Sequence, residues 1–274
     1  MVAQSIVTKF GYALMVKLRR QCFAARVPLD DRLMELGRKT SSHFFLANPA
    51  SHNAYLFLLH YLKAFSEAQL KKKPCCLRIL DWGCGKGHCT YLLRNLGFKV
   101  VSCDIERGAD DSAFTRETPI IAAENIEVIP LKDTVKLPFE SESFDIVLSM
   151  GVLEHVEDDL RSLREVNRIL RAGGLFFCFF LPFVGSWTQY VLRSRGDNYH
   201  DRLYTKSKVN ALLKETGFEL LDFWHRQLFP KNSVNYPAFH AFEYVDQALV
   251  RFTPLRYLAT NIEFVASRSK VSLA

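Results

Sequence analysis

Short apolar runs alternate with helix-like segments along this chain, which predicts an α/β fold on a doubly wound parallel sheet. Three observations carry the expectation. The apolar run Leu77-Arg78-Ile79-Leu80 leads into the loop Asp81-Trp82-Gly83-Cys84-Gly85-Lys86-Gly87, which leads into the helix-like Thr90–Leu96. The fully apolar run Leu175-Phe176-Phe177-Cys178-Phe179-Phe180-Leu181 reads as a strand buried on both faces. Between them, helix-like 160–170 stops at Arg171-Ala172-Gly173-Gly174, a basic last turn followed by glycine.

The remaining elements follow in order. Residues 97–103 read as a second strand closing on Asp104, residues 125–130 as a short third strand, and Ser143–Ser149 as a fourth. Thr205 is the expected N-cap of a helix over 206–216 that Gly217 stops. Phe218–Trp224 then reads as a sixth strand and Asn261–Ala266 as the last. The link after Asp104, through Arg107-Gly108-Ala109-Asp110-Asp111, is polar and lacks an apolar helix pattern, so the register of the third strand is the least determined.

The glycine loop is a candidate nucleotide-type cofactor site. Glycine lets a ligand approach the backbone, and the helix start behind the loop presents N–H groups without intrahelical partners. The dinucleotide pattern G-x-G-x-x-G fails, because its third glycine would fall at His88. The phosphate-cradling G-x-x-x-x-G-K-[ST] does not occur. What stands here is Asp-x-G-x-G-x-G, with Asp104 about 20 residues on, where a carboxylate can take both ribose hydroxyls.

These landmarks resemble the class I S-adenosylmethionine (SAM)-dependent methyltransferases, in particular the ubiquinone/menaquinone-biosynthesis type. The resemblance covers roughly residues 75 to 225: D-x-G-C-G-x-G at Asp81, the Asp104 closing strand two, D-x-x-x-L-P-F at Asp133, S-F-D-I-V-x-S at Ser143, L-E-H-V at Leu153, and the Gly-Gly before strand five. It implies a Rossmann-like sheet of seven strands with the last antiparallel, N-terminal helices, and a C-terminal lid insertion. It divides the chain into an N-terminal helical cap over 1–70 and a methyltransferase domain over 71–274, with substrate-cap insertions at 182–204 and 229–256. It implies that Gly83, Cys84, Gly85 and Gly87 line the methionine and ribose portion of SAM, that Asp81 holds its ammonium and that Asp104 takes its ribose. Asp133 with Thr134 would meet the adenine, and Ser149 and Met150 would close the methionine end. Trp82 departs from the small aliphatic residue usual at its position.

An oxygen nucleophile must lose a proton, and histidine is the natural base near neutral pH. His155 and His200 are the candidates. No His/Cys/carboxylate group has metal-ligand spacing along the chain, so no metal is expected.

Composition narrows the rest. A net charge of +7 permits an anionic partner such as nucleic acid, a membrane surface or an acidic substrate. A nucleic-acid methyltransferase is disfavoured, because Ser149-Met150-Gly151-Val152 stands where base-methylating enzymes carry an Asn/Asp-Pro-Pro-Tyr/Phe or Pro-Cys signature. The other alternative is a non-catalytic SAM-fold partner protein. The seven cysteines lack a C-x-x-C pair and argue for reduced thiols and a cytoplasmic location. No run is long and apolar enough to span a bilayer. From Met1 to Leu29 the chain is free of acids, and its cations interleave with large apolar residues. That composition suits a helix over the active site, an interfacial helix in peripheral membrane contact, or a transit segment. The expected acceptor is a small-molecule, lipid or glycan-precursor hydroxyl, with the oligomeric state open.

Overall fold

The computed structural model describes residues 14, 16–22, 27–40, 47–105, 118–196, 200, 202–231 and 238–269. The sheet begins with β1 (Arg78–Trp82), β2 (Lys99–Ile105), β3 (Val128–Leu131) and β4 (Phe144–Met150), and continues with β5 (Leu170–Pro182), β6 (Phe218–Arg226) and β7 (Asn261–Arg268). Their order is β3-β2-β1-β4-β5-β7-β6 in a 7-stranded sheet. Pairs from β3 to β5 are parallel, whereas β7 runs antiparallel to both β5 and β6. The strand order reverses beside β1, so the C-terminal ends of β1 and β4 open a crevice at the switch point.

Helices cover both faces: α1 (Asp31–Thr40), α2 (Pro49–Leu70), α3 (His88–Asn95), α4 (Pro119–Ala123), α5 (Asp159–Ile169), α6 (Trp187–Ser194), α7 (Lys206–Glu215) and α8 (Phe239–Phe252). Side chains alternate across a strand, so β1 feeds two cores. Ile79 joins the core under α2 and α3 with Leu62, Phe65, Leu93 and Phe177, while Leu80 and Trp82 join the core under α5 and α7 with Val166, Phe176 and Leu213. Trp82 is therefore a packing residue of the sheet that also reaches the crevice.

Several boundaries differ from expectation for local reasons. The third strand starts at Val128 because Asn125, at φ +47, is spent on the turn that ends α4. That turn is closed by Ile126 N–H donating to Ile121 O at 3.0 Å. The helix α4 itself was not legible; Pro119 starts it and Thr118 Oγ1 caps Ile121 N–H at 3.2 Å. Strand β5 begins at Leu170, directly where α5 ends, so the Gly173-Gly174 pair lies inside an extended segment. A Cβ at Gly174 would stand 2.8 Å from Arg171 O and 3.1 Å from Asp145 O, which explains the glycine.

The described part of the basic N-terminal region is tied to the sheet. Residues 16–22 are helical, and Leu18 and Cys22 pack on the core. Arg19 Nε lies 3.3 Å from Asp222 Oδ2 on β6, with its guanidinium 4.6 Å from the Trp224 ring centre. Tyr61 of α2 donates to the same carboxylate at 2.6 Å. Residues 1–13 lie outside the described residues. We predict that Tyr61→Phe, which strips a hydrogen bond from a buried carboxylate, lowers stability by about 1–3 kcal/mol in urea unfolding. An unchanged midpoint would show that Asp222 is not held there.

Beyond β6, Asp246 Oδ1 of α8 accepts from Leu228 N–H at 2.7 Å and Phe229 N–H at 3.0 Å. Lys231 is buried against Glu243 and Asp246. This cluster moors α8 alongside α2 and β6.

Candidate functional site

The glycine loop is lashed to the end of β2. Gly83 N–H and Cys84 N–H both donate to Cys103 O, at 2.9 and 3.0 Å, and Gly85 N–H donates to Asp104 Oδ2 at 2.5 Å. The three loop glycines have φ of +71, +52 and +83. Gly83 and Gly87 are needed for packing as well: a Cβ at Gly83 would meet Val152 Cγ2 at 2.5 Å, and one at Gly87 would meet Ile121 Cγ1 at 2.8 Å. Gly85 is different. A Cβ there meets nothing within 4 Å, because it faces an open cavity.

That cavity, of about 830 Å³, is lined by the glycine loop and the ends of β1, β2, β4 and β7. Asp81, Gly83, Cys84, Gly85, Asp104, Thr134, Met150, His155 and His200, nine of the expected site residues, meet on its wall. Three do not. Gly87 is the N-cap of α3 and packs against Ile121 and Ile126. Ser149 is fully buried in the sheet between Trp82 and Cys178. Asp133 is exposed and turns its carboxylate onto its own chain, accepting from Val135 N–H at 2.8 Å and Lys136 N–H at 2.6 Å. Those backbone N–H groups hold its carboxyl below the usual carboxylate range. Thr134 instead reaches the wall, and its hydroxyl accepts from Glu157 N–H at 2.8 Å.

Two carboxylates flank the loop. Asp81 is 1 % exposed and accepts from Thr90 Oγ1 at 2.6 Å. Burial lifts its carboxyl from 3.8 to about 7, against the pull of the Thr90 hydroxyl. No lysine or arginine among the described residues forms an ion pair with Asp81 or Asp104. Such a pair suits a ligand with an ammonium and a ribose, and opposes a pyrophosphate placed over Asp81.

On the same cavity wall the turn after β4 brings in Glu154 and His155, and the segment before α7 brings in His200. Glu154 is 1 % exposed; burial first, with Glu263 adding repulsion, raises its carboxyl to about 8. Its Oε1 lies 3.9 Å from His155 Nε2 and 3.9 Å from His200 Nδ1. The two imidazoles stack with centres 5.5 Å apart. Glu154 was not singled out from the sequence. An acid beside a histidine after strand four is ordinary, and only the fold shows that a residue of the distant cap meets it.

Tyr55 and Phe180 form the aromatic wall, with ring centres 5.0 Å apart, and Tyr55 also meets His88 edge-on at 4.9 Å. Burial drops the His88 imidazole to about 3, so it is neutral. Of the two expected cap insertions, 182–204 supplies His200, whereas no described residue of 229–256 lines the cavity.

Residues 80–178 match the family described as Methyltransferase domain. The ubiquinone biosynthesis O-methyltransferase of Brucella anthropi is 31% identical over 192 residues, covering 60% of this chain and 74% of that protein. The chain belongs to the class I SAM-dependent methyltransferases. The protein of the same description from Cereibacter sphaeroides is 30% identical over 162 residues, covering 53% of this chain; the chain spans 62% of that relative's length. Among solved structures, the YcgJ protein of Bacillus subtilis superposes with a TM-score of 0.50 at 16% identity, covering 77% of this chain and 98% of that one. The proposed methyltransferase complexed with the Trm112 activator of Haloferax volcanii gives 0.51 at 15%, covering 82% and 99%. These two establish the fold alone.

The cofactor of a class I SAM-dependent methyltransferase is SAM, and the residues present fit it. The open face of Gly85 leaves room against the backbone. Asp81 and Asp104, which have no lysine or arginine ion-pair partner among the described residues, would receive an ammonium and a ribose.

Proposed function

We propose that this protein transfers a methyl group from SAM to a hydroxyl of a small, amphiphilic acceptor. The observation that carries the reading is that one cavity wall holds both the glycine-loop carboxylates Asp81 and Asp104 and a Glu154-His155-His200 group. The relatives from Brucella anthropi and Cereibacter sphaeroides are ubiquinone biosynthesis O-methyltransferases, which supports oxygen as the accepting atom.

SAM supplies a methyl group on a positively charged sulfur. The chain's task is alignment, exclusion of water and removal of one proton. Asp81 would hold the ammonium and Asp104 the ribose hydroxyls, which would leave the methyl group in the cavity that His155 and His200 also line. As the new oxygen–carbon bond forms and the sulfur–carbon bond breaks, the hydroxyl proton would pass to His155 or His200. Glu154 stands by both rings, with Oε1 3.9 Å from a nitrogen of each.

An exposed aromatic surface supports an amphiphilic acceptor. Val184, Trp187, Tyr190, Phe252 and Tyr257 are exposed. Segment 185–188 abuts 257–260, through Thr188 Oγ1 to Thr260 Oγ1 at 3.3 Å. Arg193, Arg195, Arg251 and Arg256 occur here, and stretches 184–196 and 247–260 contain no acid. Such a surface suits anionic lipid better than the tethered helix at 16–22 does. The expected result is co-sedimentation with phosphatidylglycerol liposomes that Trp187→Ala/Tyr190→Ala weakens; equal sedimentation by the variant would place membrane contact elsewhere.

The acceptor is found by incubating the protein with methyl-labelled SAM and a metabolite extract, then locating the label by mass spectrometry. Label on a hydroxyl of a small molecule is the expected result. Label on nucleic acid, or on no acceptor while SAM is bound, would overturn the reading.

A further inference from the structure

The methionine end of SAM carries a sulfonium, an ammonium and a carboxylate. Asp81 answers the ammonium, but ionised carboxylates at Asp81 and Asp104 repel the ligand's own carboxylate. Among the described residues, Lys86 is the only lysine or arginine on the cavity wall. His88 on that wall is neutral, and His155 and His200 must be neutral to accept a proton.

The loop holds Lys86 in place. It stands between Gly85, which is open to the cavity, and Gly87, the N-cap of α3. Gly87 N–H donates to Cys84 O at 2.9 Å, closing a turn around it. Thr118 Oγ1, at the start of α4, donates to Lys86 O at 2.9 Å. The side chain is half-buried, and burial lowers its ammonium from the usual lysine range. Its charge adds to burial in keeping the His88 ring neutral, so the two side chains are near each other. His88 in turn meets Tyr55 on the same wall. A carboxylate brought to this place would offset the desolvation of the ammonium.

We propose that the Lys86 ammonium binds the carboxylate of SAM and so makes this chain select SAM over decarboxylated SAM. The ammonium and carboxylate of SAM share one carbon. Asp81 and Lys86 would hold that carbon by opposite charges, which restricts the direction of the chain running from it to the sulfur. Part of the alignment of the methyl group would then come from this pair. The assignment rests on SAM occupying the cavity, as in the reading above. Lys86 fills a variable position of D-x-G-x-G-x-G, so the pattern itself is silent on it.

The test is calorimetric titration of the full chain, Lys86→Met and Lys86→Arg with SAM and with decarboxylated SAM, which keeps the ammonium and sulfonium. Lys86→Met keeps the apolar stem and removes the charge. We expect it to bind SAM about tenfold more weakly, with decarboxylated SAM unchanged within about twofold. Lys86→Arg keeps the charge and should retain most of the SAM affinity. The full chain should prefer SAM to its decarboxylated form, and Lys86→Met should lose that preference. Unchanged SAM affinity in Lys86→Met, or equal weakening of both ligands, overturns the role of Lys86 and leaves the methyl-transfer reading standing. Binding of neither ligand by the folded full chain overturns both.

Discussion

Asp104→Ala is expected to weaken SAM binding by about 10- to 150-fold, the equivalent of roughly 1.5–3 kcal/mol for losing a charge-assisted hydrogen bond. Two losses combine. One is the acceptor for the ribose hydroxyls. The other is the anchor of the cradle, since Asp104 Oδ2 accepts Gly85 N–H at 2.5 Å and Oδ1 accepts Ile105 N–H at 2.7 Å. Asp104→Asn keeps an acceptor for Gly85 N–H but loses the charge, so its affinity should fall between wild type and Asp104→Ala. Calorimetric titration of the three proteins checks this. Equal affinity in wild type and Asp104→Ala would remove Asp104 from the cofactor site.

Asp81→Asn is expected to change stability and cofactor binding in opposite directions. Burial raises the Asp81 carboxyl from 3.8 to about 7, so the folded chain keeps a proton that the unfolded chain has already released. Between those values the folded state binds more protons, and stability falls as pH rises through the window. The stabilising effect is complete below about pH 4 and lost above about pH 7, a swing on the order of 4 kcal/mol. An asparagine keeps an oxygen for the Thr90 hydroxyl and does not ionise. The Tm of Asp81→Asn relative to wild type should therefore rise between pH 5 and pH 8. In the same interval wild-type SAM affinity should increase, because the ionised carboxylate meets the ammonium, while the variant stays weak and flat. A wild-type affinity that does not change between pH 5 and pH 8 would show that Asp81 does not face that ammonium.

Much of this was legible in the sequence where one residue type has one physical use. The glycine loop at 83–87 was, because the backbone there runs at positive φ and one glycine faces the cavity. The buried strand β5 was, because a parallel interior tolerates only an apolar run. The place of Asp104 on the cavity wall was, because a carboxylate closing β2 stands beside the glycine loop, where it takes Gly85 N–H. Illegible features came from contacts between distant segments or from turns that mimic a motif. Asp133 matches a pattern, yet the same short side chain closes a turn on Val135 and Lys136. The resemblance implied a substrate cap at 229–256, but no described residue of that stretch lines the cavity, and Lys231, Glu243 and Asp246 moor α8 beside α2 and β6. Glu154 became a site residue only once Arg202 was seen to hold the His200 segment against it.

The central claim is that the cleft at the ends of β1 and β2 is a SAM site. Calorimetric titration of the full chain with SAM, with S-adenosylhomocysteine and with NAD tests it most directly. The account predicts one site per chain for SAM with a Kd on the order of micromolar, competition by S-adenosylhomocysteine, and no heat with NAD. Folded protein that binds NAD, or that shows no heat with SAM at pH 8 where Asp81 is ionised, would contradict it.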